Sequence, residues 1–200
     1  METDGDLLMA QATLVVAIDY GSKEDGSGLS PAGRECLIDA CKYLNGRLDE
    51  GDVLAYCLAD IPALGMVPME ALEWKMNLRG TYLFREVTDV MVPGTTSISE
   101  ARNICKQLEV GAIVPRRIII FCDTWHALRL RLIWPHLFPH ALIEYKTKRY
   151  VQGSDFALML LRFQITWIFA NIAYAILMWA TSLIIGEGLM LKLFAGLRQR

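Results

Sequence analysis

A chain of 200 residues with 20 Lys and Arg against 22 Asp and Glu has room for one buried core and no basic excess to attract nucleic acid. No zinc-finger, homeodomain or basic-helix pattern occurs in it, so nucleic acid is not an expected partner. Charge is unevenly spread: residues 1–150 carry 16 basic and 20 acidic side chains, whereas 151–200 carry only Arg162, Lys192, Arg198 and Arg200 against Asp155 and Glu187. Composition therefore divides the chain into a body, 1–150, and an apolar helical segment, 151–200.

The body opens on Met1-Glu2-Thr3-Asp4-Gly5-Asp6, acidic where a secretion signal needs positive charge, and none is expected. Residues 13–18 form a nearly unbroken, β-branched apolar run closed by Asp19-Tyr20-Gly21, which predicts a strand buried on both faces. Ser30 followed by Pro31 supplies an N-cap and a first-turn proline for a helix reaching residue 45, with Cys36, Leu37, Ala40, Cys41 and Leu44 on its buried side. A second strand is predicted over 53–59, a helix over 68–78 beginning at Pro68-Met69-Glu70, and a third strand over 81–87. Pro93-Gly94-Thr95-Thr96 reads as a turn, with Ser97 and Glu100 spaced as a capping box for a helix to about residue 110. The run 118–122 is the most strand-like of the chain; a helix over 125–137 and a last strand over 141–145 follow. Strands alternating with helices predict an α/β, Rossmann-like three-layer sandwich with a mostly parallel sheet.

The five cysteines, Cys36, Cys41, Cys57, Cys105 and Cys122, are odd in number and share no Cys-x-x-Cys spacing, so reduced core thiols are expected and a metal site is not. Residues 163–186 contain no charged side chain over 24 positions, enough for a helix to cross the roughly 30 Å hydrocarbon layer. The alternative is a core helix covering the sheet. That helix would keep one polar side, whereas here apolar residues occur all round, so a membrane-associated segment is expected. The slight excess of basic residues before it, Lys146, Lys148, Arg149 and Arg162, leads to the expectation of a cytoplasmic body.

Parallel α/β sheets bind ligands beyond the carboxyl ends of their strands, and four places there carry polar groups. They are Asp19 with Tyr20 and Gly21, Asp60, the Gly94-Thr95-Thr96-Ser97 turn, and Asp123-Thr124-Trp125-His126. A hydroxyl-rich turn opening a helix suits a phosphate or carboxylate, and His126 with Arg129 at i and i+3 puts a titratable group beside a fixed cation. Each also has an ordinary structural role, as a helix cap, a core histidine or a solvated arginine. The glycines at 21, 26 and 28 do not complete a dinucleotide fingerprint, and no P-loop, Gly-x-Ser-x-Gly or His-Glu-x-x-His sequence is present. Kinase, hydrolase and zinc-protease templates thus gain no support.

Taken in order, the strand 13–19, Arg34 with Ala40, Glu70-Ala71, Thr95-Thr96 with Glu100-Ala101-Arg102, and the strand 118–121 leading to His126-Ala127-Leu128-Arg129 resemble the SanA, YdcF and ElyC group of envelope-associated proteins. This is the family of domain of unknown function 218 (DUF218), and the resemblance covers residues 13–147. Asp19-Tyr20-Gly21-Ser22 and Ala59-Asp60-Ile61-Pro62 stand where that family has Gly-rich turns, and Cys122-Asp123 stands where it has Thr-Ser. The resemblance implies a role in envelope or lipid-carrier metabolism. The expected function is a membrane-tethered α/β protein binding an anionic, phosphorylated small molecule or lipid head group. Thr95, Thr96, Arg102 and Arg129 would hold the anion, His126 would transfer a proton, and Asp19 or Glu70 would orient it. Two other readings stay open: a non-catalytic envelope factor whose apolar helix pairs with a membrane protein partner, and a soluble nucleotide- or S-adenosylmethionine-binding protein.

Overall fold

A computed structural model describes residues 12–18, 20, 30–45, 53–59, 88–94, 97–150 and 164–196. Five strands, β1 (Thr13–Ile18), β2 (Val53–Ala59), β3 (Thr88–Gly94), β4 (Arg117–Asp123) and β5 (Leu142–Lys148), form one parallel sheet in the order β3-β2-β1-β4-β5. Central β1 pairs Leu14 with Val53 on one side and with Ile118 on the other. Being covered on both faces, β1 and β4 bury nearly every residue, which is why their sequences run apolar without alternation.

The third described strand is Thr88–Gly94, and the strand predicted over 81–87 falls outside the described residues. Pro93 and Gly94, read from the sequence as a turn, end this strand. The reason is its position. Among the described residues β3 pairs only with β2, and on an edge strand the amide that proline lacks need not be missed by a neighbour.

Helix α1 (Pro31–Asn45) follows β1 and is started by Ser30, whose Oγ accepts the Gly33 amide at 3.0 Å and donates to the Tyr20 carbonyl at 3.2 Å. Its predicted inner residues, Cys36, Leu37, Ala40, Cys41 and Leu44, are all buried. Helix α2 (Ser97–Val110) carries the chain from the β3 edge back over the sheet to β4, and α3 (Ala127–Leu137) joins β4 to β5. The edge strand β5 shows the two layers: Lys148 reaches Glu35 and Asp39 of α1, whereas the Tyr145 hydroxyl donates to the Leu130 carbonyl of α3. With right-handed connections, α1 thus covers one face and α2 with α3 the other, giving the three-layer α/β architecture.

Beyond the sheet, α4 (Gln164–Ile185) and α5 (Glu187–Gly196) form a helical hairpin. It turns at Gly186, whose φ of +80° is the left-handed conformation that glycine adopts without strain. Its inner side belongs to the same buried cluster as the sheet: Trp167, Met178, Met190, Leu191 and Phe194 join Leu14, Ile119 and Trp134. Each large side chain so buried stabilises the fold by about 1.5–3 kcal/mol. The stretch Ile165–Ile185 is long and apolar enough to cross a membrane.

Candidate functional site

The doubly wound order has its switch point between β1 and β4: the chain leaving β1 enters α1 on one face, and the chain leaving β4 enters α3 on the other. A crevice opens beyond the carboxyl ends of two such strands. Here it is occupied by the chain's own side chains. Tyr20, just past β1, and Asp123, ending β4, are both buried, and the Tyr20 hydroxyl oxygen accepts the Asp123 backbone amide. The Asp123 carboxylate oxygen Oδ1 accepts the Trp125 amide at 2.9 Å and the indole N–H of Trp167 at 3.0 Å. The first of these bonds holds residues 123–126 in a turn, so α3 begins at Ala127 rather than at Trp125 as the sequence predicts.

His126 stands at the centre of this cluster with 4% of its surface exposed. Its ring meets Tyr20 and Trp167 edge-on, at centroid distances of 5.8 and 5.7 Å, and Tyr150 stacks on Tyr20. Its Nε2 lies 2.8 Å from the Ser97 hydroxyl, which opens α2. Burial, reinforced by the nearby Arg129 guanidinium, holds the imidazole pKa well below its ordinary value, so the ring is neutral. A neutral imidazole either accepts the Ser97 proton or donates its own; a nucleophile with an adjacent base has the first of these geometries. Among the described residues Nδ1 has no hydrogen-bond partner, so the pair is a dyad without an orienting carboxylate. Burial also pushes the Tyr20 hydroxyl well above the ordinary phenol range, keeping it protonated.

The structure brings together only some of the residues singled out from the sequence. β3 and β4 are not neighbours, since β2 and β1 lie between them, yet the Ser97 hydroxyl, on the first residue of α2, lies 2.8 Å from His126 Nε2. The histidine and the opening of the hydroxyl-bearing helix are therefore in contact. Thr95, Thr96, Asp19 and Glu70 lie outside the described residues. Arg129 sits beside His126 with its guanidinium 5.3 Å from the centre of the Tyr174 ring on α4, a cation–π contact directed at the apolar helix. Arg102 is half-buried on α2, about 140° around the helix from Ser97, on a different side. Arg131, two residues beyond Arg129, turns away to the Tyr145 ring on β5. Among the described residues no group of three His, Cys, Asp or Glu side chains could hold a metal ion.

Four contributors were not assigned places in the site from the sequence. Tyr20, Ser97 and Asp123 sit inside the segments singled out at strand ends, so their places were legible although their bonds were not. Trp167 gave no local signal, because it arrives from 44 residues beyond Asp123. No family model matches this chain, and no curated protein or solved structure does either.

Proposed function

We propose that this is a membrane-tethered α/β protein that binds an anionic, phosphorylated small molecule or lipid head group at the carboxyl edge of its sheet, beside Ser97 and His126. The observation that carries the reading is the 2.8 Å contact between Ser97 and His126, which joins the start of α2 to the turn before α3. The amides at the start of α2 favour negative charge, and the Arg129 guanidinium close by adds a full positive one. Ser97 can donate its single hydroxyl proton to an incoming oxygen while neutral His126, protonated at Nε2, donates to the Ser97 oxygen and so orients it. The likeness to the SanA, YdcF and ElyC group supports the same ligand class through motif order alone. The tether is α4, whose composition suits a membrane.

Thermal shift of the full chain in detergent, with inorganic phosphate, phosphatidic acid, a nucleoside diphosphate and S-adenosylmethionine, tests the ligand. Stabilisation by the phosphorylated compounds is expected. Losing one charge-assisted contact costs about 1.5–3 kcal/mol, so Arg129→Ala and Ser97→Ala should weaken binding roughly tenfold or more, while Arg131→Ala should not. Stabilisation by S-adenosylmethionine alone would replace the phosphate reading with the methyl-donor one.

A further inference from the structure

Helix α4 is built with its sides reversed relative to a helix on the surface of a water-soluble protein. Its inner side carries Trp167, Asn171 and Met178, with Tyr174 half-buried beside them. Asn171 is buried and donates to the Trp167 carbonyl at 2.9 Å. The outer side carries Ile165, Phe169, Ile176, Leu177, Trp179, Leu183 and Ile184, all more than half exposed. A surface helix normally turns its polar residues outward. Here the buried amide faces the body and the large apolar side chains face away from it.

The extent of this outer side argues for what covers it. At 100° per residue, from Trp179 to Leu177 it subtends about 160° of the helix circumference. A second helix packing in a single groove covers a narrower seam, leaving Leu177 and Ile184 or Trp179 wet. A bilayer covers the whole half-cylinder, and α4 offers it no Asp, Glu, Lys or Arg to desolvate. Leu189 and Leu193, one turn apart on α5, extend the exposed apolar surface past the hairpin turn.

The placement of the two ends of α4 settles its direction. At its start, Trp167 bonds to Asp123 and packs on His126, immediately before α3. Just beyond its end, Glu187 meets His136 in the last turn of α3 at 3.4 Å. Both ends thus lie against the same short helix of the body. Were α4 to cross a bilayer, α3, packed along it between these two contacts and bearing the exposed Arg131, would be carried into the roughly 30 Å of hydrocarbon.

We infer that α4 lies in the plane of the membrane, its outer side in the acyl region of one leaflet and its inner side on the α/β body. This rests on the tether reading and gives it a geometry. The apolar side would enter about 5–10 Å into the boundary between head groups and acyl chains. The partner is one leaflet of a lipid bilayer, and the body rests on it with the Ser97–His126 crevice next to the lipid-facing helix.

Depth measurement on the full chain bound to vesicles of phosphatidylcholine with phosphatidylglycerol tests this. A bimane label at Ile165→Cys, Ile176→Cys or Leu183→Cys, read against the labelling of the unmutated chain, is quenched by lipids bearing nitroxides at graded depths. Equal, shallow depths at all three positions are expected. Ile176→Glu should lower vesicle partitioning roughly tenfold or more, while Val110→Glu, at an exposed site on α2, should leave it unchanged. Position 176 deepest, with 165 and 183 shallow in opposite leaflets, would overturn the in-plane placement while leaving the tether intact. A chain that ignores vesicles and forms a detergent-free dimer broken by Ile176→Glu would overturn both, assigning the outer side to a second copy.

Discussion

Trp167 and Asp123, 44 residues apart, are joined by an indole N–H donated to a carboxylate oxygen at 3.0 Å. The bond pins the first turns of an apolar helix to the carboxyl end of β4, where an open α/β sheet ordinarily receives its ligand. The tail and the candidate site are one physical unit.

That bond should be measurable as stability. Trp167→Phe keeps a ring in the cluster but leaves the buried carboxylate short of one donor, at a cost of about 1–3 kcal/mol. Trp167→Ala also opens a cavity and should cost about 3–5 kcal/mol. Urea unfolding in a fixed detergent checks both, and a Trp167→Phe chain as stable as its parent would show that the hydrogen bond adds nothing.

His126 predicts a pH dependence of defined sign. Its folded pKa is depressed, so below the unfolded value of about 6.5 the unfolded chain takes up a proton that the folded chain refuses. Its effect on stability is absent above pH 6.5 and becomes increasingly unfavourable as pH falls below it. His126→Gln, which keeps an amide near Ser97, should remove this component, so the stability difference between variant and parent should shift in the variant's favour on acidification. A difference constant from pH 7.5 to about 5 would mean that the imidazole titrates in the folded protein as it does unfolded.

At the other side of the crevice, Ser30 caps α1 and ties it to Tyr20. Ser30→Ala should cost about 1–2 kcal/mol, the upper part of the usual cap range, because a buried carbonyl also loses its donor. Thermal unfolding of this variant beside Ser30→Gly separates the hydroxyl's bonds from the backbone preference of the cap: both lose the hydroxyl, and glycine restores only the backbone preference.

The cysteines should react in a fixed order. Cys36, Cys41, Cys105 and Cys122 form no disulfide, and the Cys57 side chain is outside those described. Burial pushes Cys41 up to about 12, and burial with the Asp123 carboxylate pushes Cys122 to about 12. Cys105 is raised too, by partial burial and Glu109, but it is the half-exposed one of the four. A short iodoacetamide pulse followed by peptide mass spectrometry should find Cys105 modified before the three buried thiols. Prior modification of Cys41 or Cys122 would mean that the α/β layers open locally.

Much of this architecture was legible in the sequence, for physical reasons. β1 and β4 announce themselves because strands buried on both faces must be apolar throughout, and Ser30-Pro31 marks the start of α1 because a cap and a first-turn proline have few other uses there. The end of β3 was read as a turn because an edge strand can keep Pro93 and Gly94, the residues that elsewhere signal one. The site was legible only as a set of strand ends. Tyr20 and Asp123, one in each of two strand-end segments that depart from the resemblance, bond to each other across the switch point. Nothing local to 163–186 could show that Trp167 would close the crevice, since that contact depends on how the helix docks.

Among the described residues the outer edge of β5 is unpaired, which bears on how readily the sheet could add a strand from another chain. An exposed strand edge is a template on which another chain can add by hydrogen bonding. Along β5, Glu144, Lys146 and Lys148 alternate on one side and are tied into ion pairs with Arg117, with each other, and with Glu35 and Asp39. An intruding strand would have to strip water from these charges and disturb their pairing. At the opposite edge Pro93 cannot offer an amide at all. Both described borders of the sheet are thereby poor seeds for fibril growth.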